Sequence, residues 1–167
     1  GLVGLSVRLC FVGFQEIKMS NLSEYRHVAR DLNVDAVALV PGPNFTRAFG
    51  KPFMSHERPF LAVIPAEGAP AAIVPNLELG SWALVDFDGA VFDWRDQDGY
   101  DAAFAALAEH LNIGSLALEG QVMRVFVQVA LTKAQPNLHI VDGEKAISGL
   151  RVIKTEADVA ALQSAID

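Results

Sequence analysis

Cysteine is almost absent: Cys10 is the only one in 167 residues. No internal disulfide framework and no cysteine-rich zinc site can therefore form, and a reducing, cytoplasmic setting fits that usage. Basic residues are also scarce. Thirteen Lys and Arg stand against 20 Asp and Glu, a net charge of −7. No Lys/Arg run exists to hold a phosphate backbone, so nucleic acid is not an expected partner. Neither G-x-G-x-x-G nor a Walker loop occurs, so the usual phosphate cradles are missing. No apolar run reaches the roughly 20 residues that span a bilayer, and no membrane role is expected.

The short catalytic signatures are missing too. The histidines are His27, His56, His110 and His139, and none forms H-E-x-x-H or another close metal-ligand pair. His27 and His110 fall on expected helices and His139 opens a strand, all ordinary surface positions. Ser6 and Ser81 lie in no nucleophile elbow. Cys10 sits in an apolar stretch with no base nearby, so inert burial is its expected state. Asp93, Asp96, Asp98 and Gly99 resemble part of a calcium-binding loop. Trp94 takes a required ligand position there and the closing Glu is missing, so a solvated turn leading into a helix is expected.

What is present is enough apolar residue for one real core. Hydrophobic residues make up 51% and mean hydropathy is +0.29, a composition that folds. Residues 1–18 read as an N-terminal extension. Gly1–Phe14 is apolar but lacks the basic start and A-x-A site of a signal peptide. An origin in cloning or an upstream start, and an extra strand or helix packed on the domain, are both open. Residues 19–150 carry the domain pattern, and residues 151–167 begin a linker helix.

Helices and strands alternate along the domain. Asn21 with Glu24 at the third helical position predicts a capped helix whose Leu22, Tyr25, Val28, Ala29 and Leu32 face inward. Ala36–Val40 reads as a buried strand, stopped by Pro41-Gly42-Pro43. Asn44–Phe49 predicts a helical turn and Gly50–Arg58 a loop. Pro59–Ile64 and Ala71–Val74 flank the turn Ala66-Glu67-Gly68-Ala69, as in a hairpin. Asn76–Leu84 is ambiguous.

Further along, Ala90–Asp93, Ser115–Leu118 and His139–Val141 read as short strands. Asp98 can cap a helix from Tyr100 to Leu111, with Phe104, Leu107, Ala108 and Leu111 inward and Asn112 or Gly114 ending it. Val122–Ala134 reads as a second helix. Asp142 or Gly143 opens another through Ile147, and Thr155 starts a last one carrying Val159, Leu162 and Ile166. Nothing at the end of the sequence supplies a surface for that last helix, so the chain reads as part of a longer protein. The fold class is α/β, with a mixed sheet and helices on both faces.

One segment concentrates chemistry. Between two strands, the loop carries His56, Glu57 and Arg58 beside Phe45, Phe49 and Phe53, and loops on rigid strands commonly carry function. Arg58 could clamp a substrate carboxylate through its planar fork. The plainer reading is a surface ion pair of Arg58 with Glu57 or another acid, worth little.

Several segments resemble the N-terminal domain of the creatinase/aminopeptidase P/prolidase family. They are Asp35-Ala36-Val37-Ala38-Leu39-Val40, Pro43-Asn44-Phe45, Gly50, Glu57-Arg58-Pro59-Phe60, Val74-Pro75-Asn76-Leu77-Glu78, and the stretch from Leu150-Arg151-Val152-Ile153-Lys154-Thr155 to Asp158. The last is similar to the family's linker. Arg47 and Ala48 stand where Tyr-Leu is usual, and Asp158 where Glu is commoner. The likeness covers about Ser20–Asp167.

It implies a three-layer α/β/α fold of RNase H-like, creatinase N-terminal type. It implies a non-catalytic domain of an Xaa-Pro aminopeptidase- or dipeptidase-like hydrolase, serving oligomerisation and substrate access. The implied partners are its own C-terminal pita-bread domain, a second copy in a homodimer, and a peptide or small-molecule substrate. Two divalent ions (manganese, zinc or cobalt) would sit in that C-terminal domain and activate a bridging water. By position, His56 and Arg58 are the implied substrate contacts. Creatinase-like and lyase-type relatives remain open, as does a free-standing α/β module that binds a small anionic ligand.

Overall fold

A computed structural model describes residues 22–152 and 156–165. The expected cap Asn21, residues Thr155 and Ile166, Cys10 and the 1–18 extension lie outside them.

Helix α1 (residues 22–31) leads into strand β1 (Ala36–Leu39), followed by α2 (Pro43–Phe49), β2 (Leu61–Pro65), β3 (Ala71–Pro75), a 3-10 turn (Asn76–Glu78) and α3 (Leu79–Trp82). Then come β4 (Ala90–Trp94), α4 (Asp101–Leu111), β5 (Ser115–Leu118), α5 (Val125–Ala134), β6 (His139–Asp142), α6 (Glu144–Gly149) and α7 (Glu156–Ser164). The six strands form one sheet in the order β4-β3-β2-β1-β5-β6. β2 pairs antiparallel with both β1 and β3, and every other pairing is parallel.

The alternation of side chains along each strand divides the core in two. Val37, Leu39, Ala62, Ile64, Ala72, Val74 and Ala117 face α1, α2, α3 and α6. Ala36, Ala38, Leu61, Val63, Ala71, Ile73, Leu116 and Leu118 face α4 and α5. This is the mixed three-layer α/β/α architecture that the sequence predicts. β1 to β3 are buried throughout, so they read as unbroken apolar runs without alternating polarity. A slip of one residue in the Ala36↔Pro65 register would exchange the two cores.

Details differ from the sequence reading. The α4 helix starts at Asp101 and has no side-chain cap; Tyr100 holds the cap position. Asp98 is used in a turn, where its backbone N–H donates to the Arg95 carbonyl at 3.0 Å. Phe104 and Leu107 are buried as expected, but Ala108 and Leu111 are only half-buried, because they line an apolar gap between α4, α5 and the sheet with Leu116 and Leu131. Asn112 ends the helix in the left-handed region at φ 48°, donating to Ala108 O, a conformation Asn tolerates. The α5 helix begins at Val125, three residues later than the apolar run suggests. Val122 and Met123 instead form a turn that hydrogen-bonds to Glu119 O. Asn76–Leu84 resolves into the 3-10 turn and α3, a helix too short to leave a periodic signal.

Candidate functional site at the carboxyl edge of the sheet

The five parallel strands end at one edge, and the antiparallel β2 begins there. In open α/β sheets that edge is where ligands bind. It carries two features, one on each side of β1.

The first lies at the switch point, where the chain passes from the β1–β4 side to β5. Asn44 follows β1 and Glu119 follows β5. Both are about 1% exposed, and Asn44 Nδ2 donates to Glu119 Oε1 at 2.5 Å. The Asn44 carbonyl accepts from the Tyr25 hydroxyl at 3.0 Å. Asn44 Oδ1 and Glu119 Oε2 are buried with no hydrogen-bond partner. Burial pushes the Glu119 carboxyl above its ordinary value and nearby Glu144 adds to that, while the Asn44 amide and Arg151 pull the other way. Burial likewise pushes the Tyr25 phenol well up. The pair itself is buried and offers no exposed polar group to a ligand.

The second feature is open. A groove of about 260 Å³ is lined by Arg58, Asn76, Leu77, Trp94, Arg95 and Asp96, among others. Its floor comes from the ends of β3 and β4, and its wall from the segment entering β2. Arg58 is held at three points. Its carbonyl accepts from the Ser55 hydroxyl at 2.7 Å. The next carbonyl, of Pro59, accepts from Trp94 Nε1 at 3.0 Å. Its side chain donates to Asp96 through Nε (2.9 Å to Oδ1) and Nη2 (2.7 Å to Oδ2). The hydrogen bonds from Arg58 hold the Asp96 carboxyl below its ordinary value, and Asp96 in turn raises Arg58. Glu57 makes only a marginal contact, 3.5 Å from Nη1.

Of the two site residues expected from sequence, Arg58 therefore lines the groove. His56 lies on the same loop, exposed, and no hydrogen bond or ion pair joins it to the groove. The phenylalanines expected beside them turn the other way. Phe45, Phe49 and Phe53 pack with Phe60 and Trp82, ring centroids 4.8–6.0 Å apart, in the core beneath the loop. Their role is to seat the 50–58 loop.

Sequence reasoning did not pair Arg58 with Asp96, because 38 positions separate them; the β2–β3 and β3–β4 pairings bring them together. The turn reading holds for Asp96–Asp98, closed by a bridge between Arg95 and Gly99, while Asp93 belongs to β4. Among the described residues, no three His, Cys, Asp or Glu side chains converge as a metal-ligand set. The two divalent ions implied by the resemblance, expected in a C-terminal domain, match no set of the described residues. None of the described helices is long and apolar enough to cross a membrane.

The sheet order, the two helical layers and the edge groove define a three-layer α/β/α domain of creatinase N-terminal type. The sequence profile of the Creatinase/Prolidase N-terminal domain matches residues 22–153, and the chain belongs to that family. A probable dipeptidase PepE of Mycobacterium tuberculosis is 28% identical over 129 residues, which cover 75% of this chain and 31% of that protein. An uncharacterised peptidase of Staphylococcus epidermidis is 25% identical over 151 residues, or 88% of this chain and 40% of that protein. The chain thus spans 40% or less of these curated relatives. The crystal structure of dipeptidase PepE from Mycobacterium ulcerans superposes with TM-score 0.74 at 24% identity, over 88% of this chain and 40% of that one. A creatinase/prolidase N-terminal domain of an X-Pro dipeptidase from Streptococcus pyogenes gives TM-score 0.68 at 16% identity. The match covers 78% of this chain and 98% of that one.

Proposed function

We propose that this domain belongs to a cytoplasmic Xaa-Pro dipeptidase- or aminopeptidase-like metallohydrolase and is itself non-catalytic. In this reading it pairs subunits and presents the 50–58 loop at the mouth of an active site built by a C-terminal domain. His56 and Arg58 are the residues that meet substrate, and two divalent ions are held outside this chain. The observation that carries the reading is the triple anchoring of Arg58 at the edge of the sheet. A guanidinium held in advance loses less entropy when it meets a carboxylate, and a dipeptide substrate has one. The names of the relatives, dipeptidase and peptidase, supply the reaction class.

The test compares the full-length protein with the 167-residue chain, each supplied with manganese, zinc or cobalt, against Xaa-Pro dipeptides. The full-length protein is expected to hydrolyse them, sediment as a dimer and lose substrate affinity in Arg58→Ala. The chain alone is expected to show no turnover. Metal-dependent hydrolysis by the chain alone would overturn the non-catalytic assignment.

A further inference from the structure

We propose that Asp96 is a positioning residue. It takes the Nε/Nη2 edge of Arg58 and so leaves the Nη1/Nη2 edge to receive a ligand carboxylate, with Arg95 as the second cation of the same groove. The proposal deepens the reading above, since it names the ligand class of that groove and the residue that prepares it.

The geometry is specific. A guanidinium offers two usable forks, one along Nε and Nη2 and one across Nη1 and Nη2. Asp96 occupies the first with bonds of 2.9 and 2.7 Å. The second meets only Glu57, at 3.5 Å from Nη1, and that Glu57 side chain is 82% exposed. Arg58 is therefore tethered without being consumed.

The tether is itself fixed. Asp96 lies in the turn between β4 and α4, which is closed by the Arg95–Gly99 bridge and by Asp98 and Gly99 N–H groups donating to the Arg95 carbonyl. Gly99 sits at φ 73°, a conformation glycine adopts without strain. Trp94, one residue before this turn, holds the other end of the arrangement through Pro59.

The two cations of the groove point to an anion. The chain carries −7, yet this groove is lined by two arginines and one aspartate. The Arg95 side chain makes no hydrogen bond or ion pair among the described residues; only its backbone is used, in the turn. A carboxylate entering beside Arg58 would meet its Nη1/Nη2 edge in competition only with the exposed Glu57, and the apolar walls from Leu77 and Trp94 suit the ring or chain attached to it.

The experiment follows the Arg58 Nε–H resonance by NMR in the 167-residue chain during titration with N-acetylproline, against N-acetylprolinamide at equal ionic strength. In the wild type the acid should shift the signal and the amide should not. Asp96→Asn should weaken the response about tenfold, because an amide cannot hold the fork with a charge-assisted pair. Arg95→Gln should weaken it less, and both variants should keep the wild-type melting temperature.

In the full-length protein, Asp96→Asn should raise KM for an Xaa-Pro dipeptide with little change in kcat. An Arg58 signal blind to the carboxylate, or equally responsive in Asp96→Asn, overturns the proposal. Absence of Xaa-Pro hydrolysis by the full-length wild type would instead fail the proposed function, while the titration still reports on Asp96.

Discussion

Glu119 is the residue whose chemistry is least like that of its class. Two buried acceptors, Glu119 Oε2 and Asn44 Oδ1, lack donors, and a proton on Glu119 would supply one. Because burial raises the folded-state value, the native protein binds that proton at a higher pH than the unfolded chain, whose ordinary value is 4.5. Between those two values the native state holds more protons, so this group's contribution to stability falls as pH rises through the window. Below 4.5 the contribution is fully present, and above the folded value the loss is complete. Glu119→Gln keeps the shape, still accepts from Asn44 Nδ2, and adds an N–H donor. The variant should be more stable than wild type at neutral pH by about 1–2 kcal/mol, the cost of a buried unsatisfied or charged group. Denaturant titrations at pH 4 and pH 7 should show the gain shrinking toward acid. A gain independent of pH would mean that Glu119 does not titrate in this window. Little of this was visible in the sequence, where Glu119 is one acid after an apolar strand. Its burial follows from the β1–β5 pairing, which no local pattern encodes.

At the level of elements, the buried strands β1, β2, β3 and β5 were readable to within a residue or two, because continuous apolar runs bounded by Pro and Gly have few other solutions. The helices α1 and α4 were readable from their 3.6-residue period. The short α2 and α6 were readable from the turn residues that open them, but α3 was not: it has four residues, too few to show a period. The Asp98 cap failed because a turn competed for the same residue. The hairpin and the parallel β3–β4 pair together carry the groove, so their junction should be sensitive. At Gly89, immediately before β4, an added Cβ would sit 2.1 Å from the Pro70 carbonyl oxygen. That oxygen accepts from Ala90 N at 3.2 Å. Backbone on both sides cannot yield cheaply, so Gly89→Ala should cost about 1–3 kcal/mol, read as a lower chemical-denaturation midpoint. Gly50→Ala meets nothing within 4 Å but stands at φ 70°, so its smaller cost of about 1 kcal/mol comes from strain in the left-handed region. Equal losses in the two variants would show that the close approach at Gly89 is not what holds β4 in place.

On the scale of the whole molecule, the folded unit and its exposed tail obey different rules. Residues from α1 to α6 share two buried cores, one on each face of the sheet. Beyond them Val152 is 80% exposed, and on α7 Val159 and Leu162 are 42% and 48% exposed. A helix whose apolar residues find no partner gains little from folding here. If, as proposed, α7 leads into a C-terminal domain, that domain would cover these side chains. The double variant Val159→Ser, Leu162→Ser separates the two situations. In the 167-residue chain it should change stability by less than about 0.5 kcal/mol, as surface substitutions do. In the full-length protein the same pair should cost about 2–4 kcal/mol, the loss expected for apolar side chains buried at an interface. Thermal unfolding of both proteins, wild type and variant, gives the comparison. A tolerant full-length protein would mean that α7 presents no apolar face to the rest of that protein, and the linker reading of residues 151–167 would fall with it.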